Sequence, residues 1–404
     1  MTLPNFRQEA VSLFEDMVRV RRDLHRYPEL GFQETRTAGI VAETLTGLGL
    51  EVQTGVGQTG VVALLDGARP GPTILLRFDM DALPIQEESE SAYASTHPGV
   101  MHACGHDGHV AMGLALARIF TRHQSSLAGT IKFLFQPAEE GLGGALSVIA
   151  DGVLERPRPD VALAMHLWSP VPLGKARVVE GPTMASSSVF TITVEGKGGH
   201  GAAPHLATDP ILAAAQIVVA LQSIVSRNTN PHDSVVVSIG AFNAGTTFNV
   251  IPERAVLKGT VRSYDTPSHR MVYRRILEMA THTASAYGCR ATMETVAIVA
   301  AVVNAPEPTA VVRAAAEVVL SEDSVLQHRT MAAEDMGFIL QEIPGCYFFV
   351  GCSNGHATSF PHHHPRFDFD ERAMIDGVAI MAQAAAEYVM NSTRIGTDET
   401  DSHG

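Results

Sequence analysis

Thr130-Ile131-Lys132-Phe133-Leu134-Phe135-Gln136 is a largely apolar run that stops at Pro137-Ala138-Glu139-Glu140. Two other runs have the same form: Pro72–Phe78 (PTILLRF) leads into Asp79 and Asp81, and Asp160–Met165 (DVALAM) leads into His166. Short apolar runs bounded by turn residues read as buried strands. In open α/β sheets a ligand binds in the crevice at the carboxyl ends of the strands, so polar side chains collected there are placed to act together. Cys104 and His106 stand at the entry of the next apolar segment, His109–Thr121 (HVAMGLALARIFT), which reads as a helix with Asp107 as its N-cap. Carboxylate, imidazole and thiolate are the ligands of zinc and its neighbours, which makes a metal hydrolase the leading expectation.

With 404 residues, 45% of them hydrophobic, the chain exceeds what one hydrophobic core usually serves, so two domains are expected. A formal charge of −14 argues against nucleic acid or an anionic membrane as partner, because both favour a basic patch. The amino-terminal segment mixes acids and bases and lacks the apolar centre of a secretory signal. No stretch reads as the ~18 apolar residues of a membrane span. Cys104, Cys289, Cys346 and Cys352 are too sparse for a disulfide scaffold, so free thiols and a reducing cytoplasmic setting are expected.

Residues 6–27 and 33–48 read as amphipathic helices, followed by short strands and the alternation of strand and helix expected of a helix-covered, mostly parallel sheet. From Ser186 the pattern changes. Strand Val189–Glu195, helix Asp209–Arg227, strands Ser234–Phe242 and Arg254–Ser263, helix Ser268–Tyr287 and strand Arg290–Val296 give the order βαββαβ, the split arrangement of a ferredoxin-like domain. The expected fold class is therefore α/β: a mixed-sheet metallohydrolase catalytic domain over residues 1–185 and 298–390, with a ferredoxin-like satellite domain inserted at 186–297. The polar tail, 391–404, reads as disordered.

Each candidate ligand has an ordinary reading beside the functional one. A lone histidine is more often a satisfied polar residue, and His102, His109, His123, His205, His232, His269, His282, His328 and His356 take that reading. Cys104 alone would be a buried small hydrophobe. Gly105 and the helix start beyond it change the weighing, because they let a thiolate and an imidazole converge from one turn. Glu139 and Glu140 point in different directions, so one can bind a metal while the other takes a proton from water. His362, His363 and His364, wedged between Pro361 and Pro365, form a stiff loop suited to a fixed ligand, and spacing alone does not choose among the three.

The blocks Arg22-Asp23-Leu24-His25, Asp79-Met80-Asp81-Ala82-Leu83-Pro84, Met101–Asp107, Gln136–Gly141, Gly198-Gly199-His200-Gly201-Ala202, Phe248–Pro252 and Pro361–Asp368 resemble, in order and over nearly the whole chain, the N-acyl-amino-acid amidohydrolases. That group holds hippurate hydrolases, auxin-conjugate hydrolases and related aminoacylases and carboxypeptidases. The resemblance implies two divalent metal ions per subunit (zinc, manganese, cobalt or nickel), held by Cys104, His106, Glu140, His166 and one loop histidine. The family's pattern of histidine, one residue, then proline selects His363, with His364 as rival. It implies Glu139 as general base, Asp81 as a catalytic-centre carboxylate that steers a ligand histidine, and His200 and Asn249 as substrate-binding residues. His200 would also act in catalysis, on the site of a partner subunit in a homodimer or higher oligomer.

The implied reaction is metal-assisted hydrolysis of an N-acyl amino acid to a carboxylic acid and a free amino acid. A metallocarboxypeptidase or dipeptidase acting on small peptides is the alternative within hydrolases. A zinc deaminase would need His-x-Glu and Pro-Cys-x-x-Cys, and neither occurs. A non-catalytic module on this scaffold would lack Glu139 or a ligand, and all are present.

Overall fold

A computed structural model describes residues 3–355, 358 and 360–391 of the protein. His356 and the expected tail beyond Asn391 lie outside the described residues. The chain divides into two compact units: unit 1 runs to Gly181 and resumes over Val303–His328 and from Phe338 onward, and unit 2 comprises Pro182–Val302 and Arg329–Gly337.

Unit 1 opens with helices α1 (Phe6–Ser12), α2 (Phe14–Arg26) and α3 (Thr35–Gly47), followed by strands β1 (Glu51–Val56), β2 (Gly60–Asp66) and β3 (Arg69–Asp79). Then come α4 (His106–Arg122), β4 (Ala128–Gln136), α5 (Gly144–Ala150) and β5 (Val161–Pro172). The expected helix over 6–27 is interrupted at Leu13, whose N–H bonds back to Ala10 and tightens the turn. An eight-stranded sheet has the order β1-β2-β4-β3-β5, then Gly345–Ser353, Ala176–Arg177 and Val325–Leu326. β4, β3, β5 and Gly345–Ser353 run parallel, whereas β2 is antiparallel to both β1 and β4, so the sheet is mixed.

The apolar runs are continuous rather than alternating because both sheet faces are covered. Ile74, Leu75, Leu76 and Phe78 of β3 and Ile131, Phe133, Leu134 and Phe135 of β4 are all buried. Helix α4 is apolar almost all round, buried from His106 through Phe120 except at Arg118, as a core helix must be. Its start departs from expectation. Gly105 occupies the N-cap position at φ +91° with no side-chain cap, and Asp107 lies inside the first turn, buried and claimed by other partners.

The loop after β4 is held by close approach. A Cβ on Gly144 would lie 1.7 Å from the Pro137 carbonyl oxygen, and the Gly144 N–H donates to Ala138 O at 3.0 Å. Only glycine lets the start of α5 fold back onto the segment that carries Glu139 and Glu140.

In unit 2 a four-stranded antiparallel sheet has the order Val235–Ala244, Arg254–Ser263, Ser186–Glu195, Arg290–Val299. Helices Pro210–Ser223 and Thr266–Ala286 pack Ala213, Ala214, Ile217, Leu221, Val272, Ile276 and Ala280 against Phe190, Ile192, Val194, Ala255 and Leu257. The chain order and strand order are those of the split βαβ fold. Unit 2 begins earlier than residue 186, ends later than 297, and also includes 329–337, which the sequence reading puts in the second part of the catalytic domain. The reason is pairing of the returning segment: Thr330 bridges Met184, and Ala185 N–H donates to Ala332 O at 3.0 Å. Among the described residues Pro210–Asn228, at 19 residues and mean hydropathy 1.5, is by length and composition long and apolar enough to cross a membrane, yet it includes polar residues such as Gln216, Gln222 and Arg227, and one stripe of it forms the core of unit 2.

Gly144→Ala is expected to lower unfolding stability by about 1–3 kcal/mol, the usual cost of overpacking. Gly143→Ala, at φ +84° with open space around it, meets only backbone strain and is expected to cost less. Denaturant midpoints check this; equal midpoints would contradict the close-approach argument.

Candidate metal centre

β3 ends at Asp79 and β4 at Gln136, level with His166, where β5 runs on to Pro172 instead of stopping at Met165 as the sequence suggests; the entry of α4 meets them there. Cys104 Sγ lies 3.4 Å from His166 Nε2. His106 and His166 are oriented by their other nitrogens: His106 Nδ1–H donates to the main-chain oxygen of Asp81 at 2.9 Å, and His166 Nδ1–H donates to Leu167 O at 2.5 Å. A carbonyl only accepts, so each ring carries a proton on Nδ1, and Nε2 is the nitrogen that faces the interior and can bind a metal once it is free of a proton. Ligand atoms of Cys104, His106 and His166 fall within 4.8 Å of one another, and so do those of Cys104, Glu140 and His363. Cys104 is common to both triads. His106, Glu139 and Glu140 form a third group by the same measure.

The structure separates the three loop histidines. His362 is buried, stacked on Trp168 at 4.7 Å between ring centres, and its Nε2 accepts from Ser169 N–H at 3.2 Å. His364 stacks on Phe360 at 4.6 Å, and its Nδ1 accepts from Arg366 N–H. His363, at φ +66°, brings Nε2 to 3.1 Å from Glu140 Oε1. That pair is close without hydrogen-bond alignment, since Glu140 Oε1 has no hydrogen-bond partner among the described residues. His106 Nε2 is likewise buried and unpartnered. Unpartnered buried ligand atoms of nitrogen and oxygen beside a thiol, all aimed inward, fit a divalent cation; a packed apolar core would not leave them so.

Asp81 differs in detail from its expected part. Its carboxylate Oδ1 is 3.3 Å from His106 Nδ1, but the aligned bond is to its main-chain oxygen, while Oδ2 accepts from Glu140 N–H at 3.0 Å. Asp81 therefore holds two of the candidate ligands, one through the backbone and one through the side chain. Glu139 is buried on the same loop, whose Ala138 N–H is tied to Glu34 Oε1 at 2.9 Å. His200 and Asn249 lie in unit 2, on the two-stranded pairing of Gly199–His200 with Val250–Ile251, and His200 is exposed.

Burial and neighbouring charge set the protonation of the metal-free protein. Burial lowers the His106 pKa, but Asp79, Asp81 and Glu140 outweigh it and raise it to about 10. Burial, with Glu140 and Glu139 beside it, pushes the Cys104 thiol well above its ordinary value. Burial and the neighbouring His109 hold His166 well below it. Burial lowers His102 to about 4, so this unpartnered ring is neutral.

Several supporting residues escape the sequence reading. Arg21, fully buried, reaches Asp107 at 2.9 Å, Asp368 at 2.7 Å and Glu371 at 3.2 Å, with Tyr93 and Phe369 rings stacked on its guanidinium. His25 Nδ1–H donates to Asp107 at 2.8 Å. Arg77 pairs with Asp79 at 2.7 Å, and Asp79 in turn takes His109. The available signal was charge inside an apolar run: Leu75-Leu76-Arg77-Phe78 buries an arginine, which happens almost only when it is paired.

The chain is 43% identical to YhaA of Bacillus subtilis (strain 168) over 378 residues, covering 93% of this chain and 95% of that one. It is 38% identical to the N-acetyl-L-cysteine deacetylase of the same organism over 375 residues, covering 93% and 88%. Among solved structures, the YxeP protein of Bacillus subtilis, described as a dinuclear metal-binding peptidase of the M20 family, superposes with a TM-score of 0.79 at 33% identity, covering 93% of this chain and 98% of that one. Residues 75–387 match the family model of peptidase family M20/M25/M40, and the chain belongs to that family.

Proposed function

We propose that this protein hydrolyses the amide bond of N-acyl amino acids, releasing a carboxylic acid and a free amino acid. The observation that carries the reading is the pair of ligand triads sharing Cys104, with Glu139 buried beside them. The N-acetyl-L-cysteine deacetylase named above supports the substrate class. In this reading Cys104, His106, Glu140, His166 and His363 hold two divalent cations. When bound, such ions lower the pKa of water and polarise the scissile carbonyl.

The chain's own groups do the rest. Glu139 takes a proton from the attacking water and returns it to the leaving nitrogen, a role for which a positioned carboxylate typically contributes about 10²–10⁴ in rate. Asp81 keeps His106 and Glu140 from turning away. His200 and Asn249 bind the substrate, with His200 serving the site of a second copy of the chain in a homodimer. Net charge −14 supports a small-molecule substrate with no nucleic acid or membrane partner, and the four free cysteines support a cytoplasmic setting.

A panel of N-acetyl, benzoyl and indole-acetyl amino acids set against dipeptides tests the reaction, with free amine as the readout. Turnover of the acyl conjugates is expected, and Glu139→Gln is expected to lower it by at least ~10²-fold with metal content retained. Cleavage confined to dipeptides would replace the reading with a peptidase, and near-normal turnover in the metal-loaded variant would remove Glu139 from its role.

His106 and Cys104 are protonated at neutral pH in the metal-free protein, and a metal needs them deprotonated. Zinc uptake is therefore expected to release protons and to tighten as pH rises from 6 to about 9. Titration calorimetry in buffers of different ionisation enthalpy counts those protons. Cys104→Ala should release fewer protons and retain fewer ions after dialysis; a pH-independent affinity or an unchanged ion count would contradict the assignment.

For the shared site, an inactive His200→Ala chain mixed with an inactive Glu139→Gln chain is expected to regain part of the activity, one composite site per heterodimer being intact. Subunit exchange confirmed by mass without recovered turnover would mean that each chain completes its own site.

A further inference from the structure

His109 falls within ligand distance of Asp79 and His106, so by proximity alone it could belong to the metal centre. Its hydrogen bonds exclude that. Nδ1–H donates to Asp79 Oδ1 at 2.5 Å, and Nε2 accepts from the main-chain N–H of Leu167 at 3.0 Å. Both ring nitrogens are used, and neither lone pair is left for a cation. The bonds also fix the tautomer: the acceptor nitrogen is Nε2, so the proton is on Nδ1, as the carboxylate requires.

These two bonds are the end of a longer polar chain. Arg77 Nε–H donates to Gln136 Oε1 at 2.9 Å, and Arg77 also pairs with Asp79 at 2.7 Å. Gln136, Arg77, Asp79, His109 and Leu167 thus link β4, β3, α4 and β5 in one line, all buried. Each member stands next to a piece of the site. Gln136 leads into the Glu139–Glu140 loop, Asp79 is two residues before Asp81, His109 is one helical turn from His106, and Leu167 follows His166. His109 supplies the link between the helix that carries His106 and the strand that carries His166. It also occupies Asp79, whose Oδ1 is only 3.8 Å from His106 Nε2 and would otherwise compete for it.

We propose that His109 is a positioning residue of the metal centre, acting through Asp79 and the Leu167 N–H to hold His106 and His166 in register, and is not itself a ligand. The proposal rests on the metal-centre reading above.

The test uses cobalt(II) as probe, with affinity measured by chelator competition, stoichiometry at saturation, and the absorption bands of cobalt bound to thiolate and imidazole. The wild-type protein is expected to take two equivalents; a wild-type protein that takes none would remove the metal-centre reading itself. His109→Ala is expected to keep two equivalents at saturation with affinity lowered about 10–100-fold, the usual effect of losing a group that orients a ligand. His109→Gln, which keeps an acceptor for Leu167 N–H, is expected to recover part of that loss and to retain the thiolate band. Unchanged affinity in His109→Ala would overturn the proposal, and so would loss of one equivalent at saturation, which would make His109 a ligand. Nitrogen-15 chemical shifts of the wild-type histidines test the same point without a variant. The His109 ring is expected to keep its Nδ1–H tautomer when zinc is added, and a metal-induced shift at its Nε2 would overturn the proposal.

Discussion

Burial of charge where β3 and β4 end beside His166 of β5 is the constraint on which the rest of unit 1 depends. Asp79, Asp81, Asp107, Glu139, His106, His109, His166, Arg21 and Arg77 are all buried. An isolated ion there costs several kcal/mol even after relaxation, so each must be paired, hydrogen-bonded or neutralised. The outer members are: Arg77 pairs with Asp79, and the Arg21 fork pairs with Asp107, Asp368 and Glu371, helped by His25 at Asp107 and Arg22 at Glu371. The inner members are paired more loosely: His106 Nε2 and Glu140 Oε1 make no aligned hydrogen bond among the described residues, and both stand next to a thiol. Nitrogen and oxygen ligand atoms left in that state beside a thiol suit a cation.

The same pairing explains how distant segments arrive together. Arg21 sits on α2, yet its carboxylate partners lie at the start of α4 and just beyond the His362–Pro365 loop, so one guanidinium ties the segment bearing Cys104 and His106 to the segment that follows His363. Glu88 N–H donates to Pro365 O, fastening the loop from the other side. A planar fork whose three nitrogens each donate to a different carboxylate, and a delocalised charge that stacks on Tyr93 and Phe369, suit arginine to this position where lysine would not serve.

Much of this could be read in the chain because strand, turn and polar terminus were written contiguously. Ile131–Gln136 followed by Glu139, and the mixed sheet and split βαβ pattern, are local signals of period and punctuation. What escaped reading is non-local. Asp107 looks like an N-cap because it stands at a helix entry, but Arg21 and His25, more than eighty residues away in the chain, hold it instead. His109 reads as an ordinary histidine, and its partners Asp79 and Leu167 come from two different strands. The loop histidines could not be ranked by spacing, since the choice depends on Trp168 and Ser169 occupying His362. Residues 329–337 join unit 2 through pairing with Met184 and Ala185, a contact with no local signature.

The central claim is that Cys104 is the shared corner of two cation sites. Anomalous diffraction from crystals grown with manganese or zinc measures it directly. The account predicts two peaks, both within coordinating distance of Cys104 Sγ, one also beside His106 and His166 and the other beside Glu140 and His363. A single peak, or a peak between Asp79 and His109, would contradict it.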